Sequence, residues 1–191
     1  RVERFLERLD QIRDMLGNDP AFSTDVIVGF PGETDAEFEE TLETCRQARF
    51  MKVHVFPFSR RDGTPAATMP DQVRPDVLRE RVRILGDLER ELAEQFYRSR
   101  VNGLAFGQSV PREDLQVLEV LAERESETRP GYVRGTDRWY MPVEVPGNAF
   151  DLGHFLTCRA VAANREGVVA ERCEPLRAER DVVRTHVHAE A

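Results

Sequence analysis

Cysteine is scarce in this sequence. Its three cysteines, Cys45, Cys158 and Cys173, lie far apart. An odd number at such spacing indicates neither a disulfide framework nor a metal-binding knuckle. Because cysteines of this kind stay reduced in the cytoplasm, we expect a cytoplasmic protein. The sequence also has no apolar run long enough to span a bilayer, and no secretory signal opens it. These absences predict a globular chain with no membrane partner.

Lysine is almost absent as well. Lys52 is the only lysine, and the net charge is −8 at pH 7. The negative charge argues against broad, nonspecific attraction to nucleic acid. Arginine suits bidentate contacts to phosphates and bases better than lysine does, although a codon bias towards arginine explains the same composition. The sequence begins at Arg1 inside an amphipathic pattern and without an initiator methionine, so we expect a piece of a longer protein.

The first sixty residues alternate between helical and strand patterns. Apolar residues recur at helical spacing from Val2 to Leu16. The run from Thr24 to Gly29 does not alternate between apolar and polar residues, which predicts a buried strand. Phe50 to Phe58 predicts the next strand, and between them Thr34 and Glu37 form a capping box that begins a helix. Helix, strand, helix, strand is typical of a parallel α/β sheet or barrel.

A long helix and a β-rich segment follow. Pro75 opens a helix whose apolar face continues to about Val101, where Asn102 and Gly103 stop it. Short strand-like segments with glycine turns then fill the stretch from Leu115 to Cys173, which predicts a small all-β barrel of OB-like size. The predicted domains are therefore an α/β part at 1–102, a β-barrel at 103–175 and a charged tail at 176–191.

Two turns after the predicted strands are candidate ligand corners. The turn from Gly29 to Gly32 leads into a helix N-terminus, where backbone N–H groups and the helix dipole suit an anion or a polar ligand. An ordinary tight turn explains the same pattern. Arg60 and Arg61 follow the second strand, and two adjacent guanidinium groups can hold phosphate or carboxylate there. A solvated charge pair is the alternative. The carboxyl ends of parallel strands share one edge of a sheet, so both corners are expected on the same face.

Longer motifs around both corners resemble one enzyme family. Val26–Thr34, with Phe38 and Thr41, is similar to a late-barrel strand motif of the radical S-adenosylmethionine methylthiotransferases. Phe56–Ala67 is similar to the next strand and loop of the same family. The β-rich remainder resembles the TRAM domain, the RNA-binding module of these enzymes. The resemblance implies the C-terminal part of a partial TIM barrel, followed by an OB-like TRAM barrel that binds tRNA.

The resemblance also implies a reaction. Enzymes of this family replace C2–H of an adenosine beside the tRNA anticodon with a methylthio group. Ser59-Arg60-Arg61, without a proline after the serine, is most similar to the branch that modifies N6-threonylcarbamoyladenosine. The alternatives are isopentenyladenosine in tRNA as the substrate, a ribosomal protein as the substrate, or a non-catalytic RNA-binding module.

Site residues follow from the resemblance and from the predicted barrel. The residues that the resemblance places around the adenine of S-adenosylmethionine, through backbone and apolar contacts, are Ile27, Gly29, Gly32, Glu33, Phe58 and Ser59. Arg60 and Arg61 are expected to face the modified nucleotide. In the barrel, Arg134, Arg138 and Trp139 put cations beside an aromatic ring, which is how proteins clamp unpaired bases. Packing of Trp139 and Tyr140 in the barrel is the alternative.

The cluster ligands of the family are missing. Its members bind two 4Fe–4S clusters through cysteine motifs, and the three cysteines here have the wrong spacing to replace them. The resemblance therefore implies an upstream half of the same protein that carries the clusters. This chain alone is predicted to be inactive, with no catalytic or metal-binding residue of its own. Cys45 is expected to be an inert core residue, and His54 a satisfied residue of a buried strand.

Overall fold

The computed structural model describes residues 2–16, 20–102, 104–105, 108–109 and 117–173. Its helices are α1 (Val2–Leu16), α2 (Asp35–Ala48), the short α3 (Pro65–Thr68) and α4 (Pro75–Asn102). Its strands are β1 (Ser23–Val28), β2 (Lys52–Pro57), β3 (Leu104–Ala105), β4 (Gln108–Ser109), β5 (Val117–Glu125), β6 (Tyr132–Asp137), β7 (Pro142–Pro146), β8 (Phe155–Asn164) and β9 (Gly167–Arg172). The charged tail predicted at 176–191 lies outside the described residues.

A parallel pair of strands organises the first part of the chain. β1 and β2 lie side by side, with Ile27 opposite Phe56. α2 connects them and begins with the predicted capping box, in which the Thr34 hydroxyl accepts the Glu37 N–H and the Glu37 carboxylate accepts the Thr34 N–H. The core between this sheet and α1, α2 and α4 is made by buried apolar side chains: Leu9, Val28, Phe38, Leu42, Cys45, Phe50, Val53 and Leu85. The predicted order of helix, strand, helix and strand is confirmed.

The prediction of a buried strand from Thr24 to Gly29 is wrong for most of its length. Exposed and covered residues alternate along β1, and Val28 is its one fully buried residue. Asp25 and Ile27 are exposed, on the face opposite to Val26 and Val28. The pattern was misleading because apolar β-branched residues occupy both faces of the strand, so periodicity alone could not separate the covered face from the open one.

The second part is a closed barrel, as the β-rich pattern predicts. Its strand order is β5, β6, β7, β9 and β8, and neighbouring strands are antiparallel except for a short parallel pair between β7 and β9. Inward and outward residues alternate along β6 and β7. The fully buried side chains inside the barrel are Val120, Val133, Met141, Val143, Val145, Cys158 and Val168. Closure pairs every barrel strand on both sides, which removes free edges.

One helix contacts both parts. Leu85, Leu88 and Leu92 of α4 lie in the core beneath the parallel strands. Ala93, Phe96 and Tyr97 continue along the helix into the core of the barrel. The two cores are therefore joined through α4. The domain ranges 1–102 and 103–175 stay a prediction.

Candidate functional site

The turn after β1 depends on glycine at two positions. Gly29 has φ of 77° and Gly32 has φ of 88°, a backbone region that other residues adopt only at a cost. A Cβ atom on Gly29 would lie 2.5 Å from Cδ1 of Leu78 in α4. The Gly32 N–H donates to the carbonyl of Asp71 at 2.9 Å. The loop that precedes α4, and α4 itself, therefore hold this turn closely.

Glu33 secures the turn from the inside. Its Oε2 accepts the Gly29 N–H at 2.8 Å and a hydrogen bond from Nη1 of Arg81 at 2.6 Å. Arg81 Nη1 also donates to the Glu33 carbonyl at 3.1 Å, and its Nη2 donates to Asp35 Oδ1 at 2.6 Å. Arg81 is 5% exposed. Burial by itself would lower the pKa of its guanidinium, but the hydrogen bonds and charges of Asp35 and Glu33 outweigh burial and raise that pKa, so Arg81 stays charged.

The second corner lies against the first. The Phe58 N–H donates to the Val28 carbonyl at 2.8 Å, and the rings of Phe30 and Phe58 meet edge to face with centroids 5.3 Å apart. The structure thus joins the two corners through Val28 and Phe58, and it links Gly29 to Glu33 within the first. The residues predicted at the adenine lie on or directly beside these links: Ile27, Gly29, Gly32, Glu33, Phe58 and Ser59. No side-chain role for Ser59 follows from these contacts.

The two arginines after β2 differ in their surroundings. Arg60 Nε donates to Oε1 of Gln72 at 3.0 Å, and Gln72 in turn donates to the carbonyls of Ala66 and Met69. The Arg61 carbonyl accepts the N–H and hydroxyl of Thr64, which turns the chain into α3. Both side chains are exposed. They are in a position to contact an anion above the strand ends.

The face of the parallel sheet beside these corners is open. Ile27 is 58% exposed and Phe56, its neighbour across the strands, is 49% exposed. Asp25 and His54 form the next pair on the same face and are also exposed. The prediction of His54 as a core residue is therefore wrong, because β2 buries the alternate residues. An apolar surface at the carboxyl end of parallel strands suits a flat, apolar ligand ring.

The barrel residues predicted to bind RNA are only partly brought together. The Arg138 guanidinium lies 5.0 Å from the centroid of the Trp139 ring, and the Arg100 guanidinium of α4 lies 5.5 Å from it. Arg134 instead donates to the Glu166 carbonyl at 2.9 Å in the turn between β8 and β9. Trp139 is half-buried and lies in the turn before β7, which begins at Pro142.

Among the residues that the structure describes, three buried charged side chains were not identified from the sequence: Arg81, Arg100 and Asp137. Arg81 continues the stripe of Leu78, Val82 and Leu85 on α4, so a charge within an apolar helical stripe was the available signal. Asp137 takes an inward position on β6, where its Oδ1 accepts the N–H groups of Trp139 and Met141. Burial raises its pKa, against the effect of those two hydrogen bonds.

The cysteines do not form a metal site. Across the described ranges, no three His, Cys, Asp or Glu side chains lie close enough to share a metal ion. Cys45 and Cys158 are buried, and burial raises the pKa of their thiols to about 11 and about 12. Cys45 is thus a core residue, as predicted. Among the residues that the structure describes, no helix has the length and apolar character to cross a membrane.

Comparison with known proteins identifies relatives of this chain by sequence. No protein-family model matches the chain. It is 37% identical over 161 residues to a tRNA-2-methylthio-N(6)-dimethylallyladenosine synthase of Geobacillus kaustophilus, which covers 84% of the chain and 28% of the relative. It is 35% identical over 176 residues to a threonylcarbamoyladenosine tRNA methylthiotransferase of Thermotoga maritima, which covers 91% of the chain and 36% of the relative.

A third relative agrees with these two. The threonylcarbamoyladenosine tRNA methylthiotransferase of Bacillus subtilis is 36% identical over 165 residues, which are 85% of the chain and 33% of the relative. The chain therefore spans about a third of the length of the curated relatives it matches. The aligned region takes in most of the chain, which confirms the resemblance drawn from the two strand-and-turn motifs. Over most of its length the chain is homologous to a segment of the tRNA methylthiotransferases.

Proposed function

We propose that this chain is the C-terminal portion of a radical S-adenosylmethionine enzyme that adds a methylthio group to C2 of N6-threonylcarbamoyladenosine in tRNA. Residues 1–102 would be the last strands and helices of the partial TIM barrel, and residues 103–175 its TRAM domain. The observation that carries the proposal is the open apolar face at Ile27 and Phe56, directly beside the turn that Glu33 and Arg81 hold. The protein would act in the cytoplasm, as the cysteine usage predicts.

The open face fits the adenine of S-adenosylmethionine. Ile27 and Phe56 offer accessible apolar surface, and the exposed ring of Phe30 packs on Phe58 at its rim. Backbone at Gly29, Gly32, Phe58 and Ser59 would line the edge of the ring, with Glu33 fixing the shape of the turn. In the whole enzyme, one S-adenosylmethionine would supply a radical and another a methyl group. This chain's contribution would be to bind and orient the nucleoside end.

The described residues do not fit an iron–sulfur cluster. Cys45 and Cys158 are buried in separate cores, so the three thiols do not meet at one place, and a cluster needs several thiolates together. We therefore assign both 4Fe–4S clusters to an upstream half of the same protein, and no step of the reaction to residues of this chain. By itself the chain would be inactive. The open face of β1 and β2 is then the side on which that half would enclose the ligand.

The substrate RNA would contact two surfaces. Arg60 and Arg61, exposed after β2, would face the modified nucleotide. On the barrel, Arg138 with Trp139 would contact unpaired bases, since a guanidinium beside an aromatic ring suits base stacking. Arg134 is bound to the Glu166 carbonyl, so it would contact RNA only with its remaining donors. The isopentenyladenosine branch is the main alternative, because several relatives are named for N(6)-dimethylallyladenosine, which is the same nucleoside.

The test is nucleoside analysis of tRNA from cells that lack the gene. We expect 2-methylthio-N6-threonylcarbamoyladenosine to disappear and its unmethylthiolated form to accumulate. Loss of the isopentenyladenosine product instead would move the assignment to that branch. Loss of a methylthio group from a ribosomal protein would identify that protein as the substrate. Unchanged methylthio levels in both tRNA and ribosomal protein would favour the alternative hypothesis that the chain is a non-catalytic RNA-binding module.

Complementation then tests the open face. The gene with Phe56→Ala should restore less of the product than the wild-type gene, because the adenine loses apolar contact. His54→Ala is the matched control: His54 lies on the same strand and the same open face, two residues further from the turn. Equal product from both variants would remove Phe56 from the ligand site.

A further inference from the structure

Arg81 is a charged residue on the buried, otherwise apolar face of α4. It is 5% exposed, and it stands in the apolar stripe of α4. A buried charge is tolerated only where opposite charges and hydrogen bonds compensate for lost hydration. Both of its carboxylate partners, Glu33 and Asp35, lie more than 40 residues away in sequence, at the turn after β1. The arginine therefore joins α4 to that turn.

The two carboxylate partners differ in exposure. The Glu33 side chain is 14% exposed, whereas that of Asp35 is 96% exposed. An exposed ion pair contributes little to stability, so Asp35 has the smaller role. Glu33 is held inside, where its carboxylate has two partners at once: the Arg81 guanidinium and the Gly29 N–H. Without the arginine, a nearly buried carboxylate would lose its compensating charge and turn towards water.

We propose that Arg81 is a positioning residue for the nucleoside site. Through Glu33 it holds the Gly29 N–H and thereby the left-handed backbone at the end of β1. That backbone sets the direction in which Ile27 and Phe30 leave the strand and the turn. The inference rests on the proposed function, because it assumes that the adenine lies on Ile27. Arg81 itself touches no part of that open face in its hydrogen bonds.

The geometry requires a guanidinium. Nη1 contacts the carbonyl and carboxylate of Glu33, while Nη2 contacts Asp35, so the planar fork serves two residues in fixed directions. The ring of Phe38 lies 5.3 Å from the guanidinium carbon and packs beside this fork. Leu78, one helical turn earlier on α4, meets Gly29 directly. An ammonium group at position 81 could neutralise Glu33 but could not keep the same set of directed bonds.

The experiment uses the full-length protein that carries this segment, with its clusters reconstituted. The variants are Arg81→Met, Arg81→Lys and Asp35→Asn. The matched control is Arg83→Met, on the same helix, whose guanidinium is exposed and pairs with Glu80 and Asp87. Two quantities are measured: hydrogen exchange of the Gly29 amide without ligand, by mass spectrometry of peptides, and the Kd for S-adenosylmethionine, by equilibrium dialysis.

We expect Arg81→Met to speed exchange at Gly29 and to weaken S-adenosylmethionine binding, each by about tenfold or more, because the turn opens locally. Arg81→Lys should give part of both effects, and Asp35→Asn and Arg83→Met almost none. If Arg81→Met fails to fold, Arg81→Lys against Asp35→Asn decides the same question. The proposal is overturned if the Gly29 amide exchanges at the wild-type rate in both Arg81→Lys and Arg81→Met. It is also overturned if exchange becomes faster but the Kd for S-adenosylmethionine does not change.

The two proposals fail in different ways. If the wild-type protein binds no S-adenosylmethionine, the proposed function is wrong, and with it the ligand that Arg81 was assigned to serve. If the wild-type protein binds S-adenosylmethionine and the Arg81 variants show no larger effect than the Arg83→Met control, the proposed function stands and the positioning role is wrong.

Discussion

The parallel sheet and the barrel differ in how completely they bury their apolar side chains. The barrel closes on itself, and inward side chains such as Val120, Val143 and Val168 are fully buried. The β1–β2 sheet is covered by helices on one face and leaves Ile27 and Phe56 open on the other. A closed barrel satisfies its own strands, so it can present an outer surface to a partner. An open apolar face on a sheet is the kind of surface that marks a ligand-binding or interaction site.

Both parts contain a buried charge, and the surroundings of the two charges differ. Arg81 beside the sheet bonds to two carboxylates, which keep it ionised. Asp137 in the barrel has Oδ1 bonded to two N–H groups. Among the described residues, its Oδ2 and Nε of Arg81 are both buried without a hydrogen-bond partner. The first charge is compensated by opposite charge at a turn. Asp137 instead fixes the turn at Trp139 and Met141, and its carboxylate loses contact with water there.

The largest expected effect contrasts the two apolar surfaces. Met141→Ala in the barrel should lower the free energy of unfolding by about 2–5 kcal/mol, because it removes a fully buried side chain and leaves a cavity. Ile27→Ala on the open face should change it by no more than about 0.5 kcal/mol. Urea denaturation of both variants measures the difference. Similar losses in both would mean that Ile27 is covered in solution.

The next effect concerns the turn that the helix holds. Gly29→Ala and Gly63→Ala both place a Cβ at positive φ, but Gly63 has open space around it and Gly29 has Leu78 at 2.5 Å. Gly29→Ala should therefore cost about 1–3 kcal/mol more than Gly63→Ala, because of overpacking. Thermal unfolding of the two variants compares them. Equal costs would show that Leu78 moves aside freely.

A pH series tests the buried acid of the barrel. Because burial raises the folded-state pKa of Asp137, the unfolded chain releases this proton first as pH rises. The stability contribution is present at low pH and is lost between about pH 4 and the folded-state pKa. Asp137→Asn should therefore gain stability relative to wild type as pH rises through that window, as urea denaturation would measure.

The control for the pH series is Asp151→Asn. The hydrogen bond from Arg172 lowers the pKa of Asp151, so its ionised form stabilises the fold above the unfolded pKa and that contribution is lost as pH falls. Asp151→Asn should thus lose stability relative to wild type as pH rises. The same sign for both variants would contradict the assigned causes.

The smallest effect is chemical. Cys45 and Cys158 are buried thiols with raised pKa, whereas Cys173 is half-buried. Because the thiolate is the reactive form, native protein at pH 8 should be alkylated by iodoacetamide at Cys173 first. Peptide mass spectrometry identifies the modified site, with protein unfolded in urea as the reference in which all three react. Early alkylation of Cys158 would indicate that the barrel opens.

The sequence determined the local elements because their causes are local. The Thr34 and Glu37 capping box, the apolar stripe of α4 and the inward alternation of β6 and β7 all depend on residues a few positions apart. The motifs from Val26 to Thr34 and from Phe56 to Ala67 likewise identified the family before any fold was known. Turn residues and periodicity carry that information along the chain.

The tertiary structure decided which surfaces are covered and which charges meet. Periodicity placed His54 and Ile27 in strands, but only the packing of the helices on one side of the sheet shows that both are exposed. The pair of Arg81 and Glu33 joins residues 48 positions apart, and no local pattern could have predicted it. Burial and ion pairing depend on how distant segments pack, and a single sequence records that packing only indirectly.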